Sequence, residues 1–102
     1  FIKIDIEGAE LGALRGGLLT LGRHRPLVLS EVVNEHLARY GHSSSDLFDF
    51  FAALEYLPFA LHGGRPSPVS LQEAAQYNDL VFAPRESAFA AQADGCAGNP
   101  EG

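Results

Sequence analysis

The 102-residue chain is 46% hydrophobic and 20% charged with a net charge of −6, enough apolar material for one modest core, and it has no apolar run near the roughly 20 residues that span a bilayer. Its basic residues, Lys3, Arg15, Arg23, Arg25, Arg39, Arg65 and Arg85, are scattered, which argues against a nucleic-acid partner, because a phosphate backbone is met by clustered positive charge. The single cysteine, Cys96, encodes no disulfide framework, so a reducing cytoplasm is the expected compartment and no membrane partner is expected.

Ile2, Ile4 and Ile6 alternate as in a strand buried within a sheet. After Gly8, Leu11, Leu14, Leu18 and Leu21 recur at three- and four-residue intervals, so the chain changes to helical periodicity. A helix is predicted over residues 9–21, broken or tightly packed at Gly16-Gly17, since each glycine costs on the order of 1 kcal/mol against alanine. Gly22 offers a left-handed stop, Arg23-His24-Arg25 suits the negative end of the helix dipole, and Pro26 prevents resumption. Residues 27–33 are a near-continuous run of Leu and Val, the pattern of a strand covered on both faces.

Ser43, Ser44 and Ser45 supply N-caps, with Asp46 and Asp49 in the first turn, for a helix reaching about Leu57. Its buried stripe is Leu47, Phe50, Phe51 and Leu54. Pro58 ends it, a short strand over 59–62 follows, and residues 62–68 read as turn and loop. Residues 71–77 have helical composition but are few; residues 80–83 read as a last strand closed by Pro84. From Ala88 almost no bulky apolar residue follows Phe89, so residues 88–102 are predicted to be a disordered tail. Strands alternating with helices predict an α/β fold whose first three strands form a parallel sheet.

Three carboxylates, Asp5, Glu7 and Glu10, crowd the first strand-to-helix turn. Ligands of open α/β sheets sit outside the carboxyl ends of the strands, where these acids lie. Glu31 ends the second strand, and its carboxylate is expected to face Asp5 across the same crevice, at one edge of the sheet. Two such carboxylates tune one another's proton affinity and provide a general base. Plainer roles are also open. Glu7 and Glu10 suit the first turn of a helix, at roughly 0.3–1 kcal/mol each; strand alternation lets Lys3 neutralise Asp5; and His36, just after the second strand, is a weaker candidate for base or substrate contact beside the commoner reading as an exposed loop histidine. Asp5, Glu7 and Glu31 offer the oxygen ligands that hard cations favour, but no characteristic ligand spacing accompanies them, so no metal is assigned.

Lys3-Ile4-Asp5-Ile6-Glu7-Gly8-Ala9-Glu10, followed by Leu14-Arg15-Gly16, resembles the signature of the FkbM-type S-adenosylmethionine-dependent methyltransferases. Arg25 to Val32 with its Glu31, Tyr40-Gly41-His42 before the serines, and Asn78 to Pro84 are similar to that family's later blocks, so the resemblance runs over residues 1–87. It implies a Rossmann-like class I methyltransferase fold, with residues 1–87 as the C-terminal half of the domain. A final strand should run antiparallel between its predecessor and the rest of the sheet. The implied reaction is methyl transfer from S-adenosylmethionine to a hydroxyl of a sugar or other small-molecule or glycan acceptor. In that reaction Asp5 first, and Glu31 second, would hold or take the acceptor's proton, with Glu7 as a positioning residue.

In that family the cofactor is held mainly by the first half of the sheet, through a glycine-rich turn and a ribose-binding acid. Gly12, Gly16 and Gly17 lie within helical periodicity and follow no strand of their own, so they form no such cradle. The cofactor-binding residues are therefore expected upstream of Phe1, and a chain that lacks methionine and opens inside a strand pattern is expected to be a fragment. A metal-dependent hydrolase using the same strand-end acids, and a non-catalytic α/β interaction module, are the competing classes.

Overall fold

In a computed structural model of the chain, residues 1–97 are described, with side chains through Gln92. Five strands form one mixed sheet: β1 (Ile2–Ile4), β2 (Val28–Glu31), β3 (Tyr56–His62), β4 (Arg65–Pro68) and β5 (Asp79–Pro84), in the spatial order β1-β2-β5-β3-β4. β1 and β2 pair in parallel with Ile4 opposite Ser30. β5 is antiparallel to both its neighbours, aligning Glu31 with Asp79 on one side and Tyr56 with Pro84 on the other. β3 therefore runs in the same direction as β1 and β2 without touching either. Only β1 and β2 pair in parallel: β5 lies antiparallel between β2 and β3, the place the family resemblance gave the final strand, and a hairpin adds β4 where turn and loop were predicted.

The helical stretch after Gly8 divides where its glycines predicted. α1 (Glu10–Gly16) and α2 (Leu18–His24) meet at Gly17, whose amide bonds back to the Ala13 and Leu14 carbonyls. The predicted stop at Gly22 is displaced. α2 continues through it, and Arg25 takes the left-handed cap at φ 51°. A short α3 (Asn34–Ala38), absent from the sequence prediction, follows β2. α4 (Ser44–Ala53) begins on a reciprocal cap in which Ser43 N donates to Asp46 Oδ2 at 2.9 Å and Asp46 N to Ser43 Oγ at 3.4 Å.

One sheet face receives Leu11, Leu14 and Leu21 from α1 and α2, Leu37 from α3 and Leu47 and Phe51 from α4, against Val28, Leu80 and Phe82. Phe51 stacks on Phe82 with ring centroids 4.0 Å apart, and Phe48 meets the same ring edge-on at 5.7 Å. The alternate residues Phe59 and Ala83 face the other side, where α5 (Ala88–Ala97) packs through Phe89 and the buried Ala90. The tail predicted to be disordered from Ala88 is thus helical through Ala97, because Phe89 finds Phe59 at 5.5 Å; residues 98–102 lie outside the described residues, as does the side chain of Cys96. Among the described residues no helix is long and apolar enough to cross a membrane.

Candidate functional site

β1 ends at Ile4, one residue short of Asp5, so the alternating isoleucine pattern is cut before Ile6, which is 45% exposed. The chain reverses there. Glu7 (φ 52°) and Gly8 (φ 109°) both take left-handed backbone conformations, and the carboxylate of Glu10 closes the reversal by accepting from Ile6 N through Oε2 and from Gly8 N through Oε1, each at 2.9 Å. Glu10 is fully buried, a placement that amide partners on both oxygens make tolerable. Only glycine fits at position 8, since a Cβ there would lie 2.0 Å from the His36 carbonyl oxygen.

The parallel register that sets Ile4 beside Ser30 sets the next residues, Asp5 and Glu31, beside one another at the carboxyl ends of adjacent strands. Asp5, Glu10 and Glu31 each bring a carboxylate oxygen within 4.8 Å of the others. Asp5 is exposed and Glu31 half-buried. Burial, and then the negative charges of Glu10 and Asp5, push the Glu31 carboxyl above the ordinary glutamate value; His36, whose Nδ1 lies 3.1 Å from Glu31 Oε1, works in the opposite direction. Oxygens gathered this closely suit a shared proton, and also a hard cation, although both Glu10 oxygens already serve backbone amides.

The structure therefore unites Asp5 and Glu31 as the strand order predicted, and it leaves Glu7 out. Among the described residues Glu7 is exposed and pairs with Arg39 at 3.9 Å, a surface contact of little energetic weight. Lys3 is exposed and forms no ion pair among the described residues. One member of the site was missed as such. Glu10 reads in sequence as a first-turn acid, and the signal for its clamping role is a chain reversal with amides needing an acceptor just before it. His36, a weaker candidate for base or substrate contact in the sequence and more simply a loop histidine, stands in α3 with its ring on Glu31.

Residues 1–61 match the model of the methyltransferase FkbM domain, a span that holds β1, β2, every acid of the cluster and His36. The chain belongs to the FkbM methyltransferase family. Its mixed α/β architecture, with the five-stranded sheet described above, is compatible with a methyltransferase-like fold. The match stops within β3, so the similarity seen in the Asn78 to Pro84 block lies beyond it. No curated protein and no solved structure matches the chain.

Proposed function

We propose that this FkbM-family chain carries the acceptor side of an S-adenosylmethionine-dependent O-methyltransferase site, in which Asp5 takes the proton of an acceptor hydroxyl and Glu31 is its partner. The observation that carries this reading is the approach of Asp5, Glu31 and Glu10 oxygens to within 4.8 Å at the strand ends of the matched segment. The acceptor is a hydroxyl of a small molecule or glycan, the class that the family resemblance implies. We read β1, β2, β5 and β3 as part of a Rossmann-like class I sheet, which the antiparallel β5 set between β2 and β3 supports.

The glycines of the first turn and of the two helices after it form no cradle for the cofactor. Gly12 and Gly16 lie inside α1, Gly17 joins two helices, and the space beside Gly8 is filled by the His36 carbonyl. No residue of this chain is therefore assigned to hold it. When bound, S-adenosylmethionine supplies an electrophilic methyl group. What the chain's own residues contribute is orientation and proton acceptance: Asp5, the exposed member of the pair, can accept the hydrogen bond of the acceptor O–H and take that proton as the O–H bond breaks. Glu31, held beside it with raised proton affinity, shares the negative charge of the pair and offers a second oxygen to the same proton.

Asp5→Asn keeps the shape and removes the charge. In the protein that carries these residues, transfer of a radiolabelled methyl group should fall by roughly 10²- to 10⁴-fold, as for loss of a general base, with the circular dichroism unchanged because Asp5 is exposed. Turnover at the wild-type rate would remove Asp5 from the reaction.

A further inference from the structure

The two turns that bring the acids together are pressed against each other at one point. Gly8, in the turn after β1, approaches the backbone of His36 so closely that a Cβ would lie 2.0 Å from its carbonyl oxygen and 2.5 Å from its carbonyl carbon. His36 is fixed from its own side as well: its amide donates to Val33 O at 3.0 Å, and its carbonyl accepts from Arg39 N at 3.2 Å. The ring of this anchored residue puts Nδ1 3.1 Å from Glu31 Oε1. An ionised carboxylate can only accept, so Nδ1 must carry the proton of that bond, and in a neutral ring Nε2 is then the bare nitrogen.

From this geometry we propose that His36 is a positioning residue for the acid pair. Its Nδ1–H holds Glu31 Oε1 so that the carboxylate stays beside Asp5, and the Gly8 contact holds His36 in place to do so. This rests on the reading of the acid pair as the acceptor site.

The surroundings of Glu31 explain why such a donor is needed. Asp5 comes from the turn after β1, Glu10 from α1, and Asp79 is its register partner on β5. All three are acids, and among the described residues His36 from α3 is the side chain that hydrogen-bonds Glu31. Burial, Glu10 and Asp5 favour the protonated form of Glu31, whereas the His36 hydrogen bond favours the ionised form that can accept a proton. His36 thereby opposes the burial and the neighbouring acids that raise the proton affinity of Glu31.

The test reads Glu31 itself, by carboxyl ¹³C NMR titration of the folded protein, with methyl transfer followed in parallel. His36→Leu should raise the Glu31 midpoint by on the order of 0.5 to 1 pH unit and carry the acid limb of the rate profile upward with it. The rate should fall roughly tenfold, less than the 10² to 10⁴ expected for loss of the base. His36→Asn keeps an N–H donor near the Nδ1 position and should restore both the midpoint and the rate. If the leucine variant does not fold, His36→Gln, whose amide matches Nε2 and not Nδ1, takes its place with the same expectation. A Glu31 midpoint unmoved by loss of the Nδ1 donor overturns the positioning role whatever the rate does. A midpoint that moves while methyl transfer does not would leave the hydrogen bond intact and overturn the acceptor-site reading beneath the proposal.

Discussion

The two ends of the sheet treat charge in opposite ways. At the end where β2 and β3 begin and β5 finishes, Arg25 gathers three connections. Its guanidinium donates from Nε and Nη2 to the two Glu86 oxygens at 3.0 Å each and from Nη1 and Nη2 to the Leu54 and Glu55 carbonyls. It also lies 4.9 Å over the Tyr56 ring, whose hydroxyl in turn donates to Pro26 O at 2.7 Å. Attraction there closes the structure. At the opposite end Asp5, Glu10 and Glu31 converge without a lysine or arginine ion pair among the described residues, and backbone amides and His36 compensate. Two left-handed residues, Glu7 and Gly8, shape that turn as well. A fold that satisfies one end so fully, yet holds acids together at the other, supports the proposal that the second arrangement serves chemistry.

The largest effect should come from the contact on which the acidic end is built. Gly8→Ala must either push the His36 carbonyl away or move the turn, and it must also hold an alanine at φ 109°. A loss of about 3 kcal/mol or more in urea unfolding is expected. A loss below about 1 kcal/mol would mean that the turn relaxes freely and that the acidic end is not the rigid one. At the other end, Arg25→Ala removes the Glu86 pair, both carbonyl contacts and the Tyr56 contact. Because Glu86 is exposed and its pairing screened, a smaller loss of about 1 to 2 kcal/mol is expected. Arg25→Gly should recover on the order of 1 kcal/mol of that against alanine, since glycine adopts the left-handed φ of 51° without strain. Equal stability of the two variants would show that the Arg25 cap carries no backbone cost.

Much of the frame was legible because it depends on near neighbours in sequence. The split at Gly16-Gly17, the Ser43 and Asp46 cap, and the second strand up to Glu31 all follow from local propensity, and strand order alone brought Asp5 to Glu31. Elements that depend on distant partners were not legible. Arg25 turns left-handed, and α2 runs past Gly22, because its guanidinium is met by residues 29 to 61 positions away. β4 contains two prolines, which hide a strand unless it lies at a sheet edge, as it does here. α3 has five residues and one buried leucine, too little for a period to show, and with it the meeting of His36 and Glu31 was hidden. α5 has one bulky apolar residue of its own, Phe89, and owes its order to a surface formed by Phe59 and Ala83.

The smallest effect is the most informative about the acidic end, because its sign depends on pH. Burial, Glu10 and Asp5 raise the Glu31 carboxyl above its ordinary value. A group raised in this way contributes stability below its unfolded pKa and loses it as pH rises through the folded value. Glu31→Gln is neutral at every pH and still offers an oxygen to the His36 Nδ1–H, so it should melt above wild type at about pH 7. The difference should shrink as pH falls below the ordinary carboxylate range, where wild-type Glu31 is itself uncharged. Methyl transfer should weaken in the same variant, giving stability and activity opposite signs at one residue. Thermal scans at about pH 4 and about pH 7 check this. If Glu31→Gln melts below wild type at neutral pH, the His36 bond outweighs the acids, and the acidic end is held together by attraction just as the Arg25 end is.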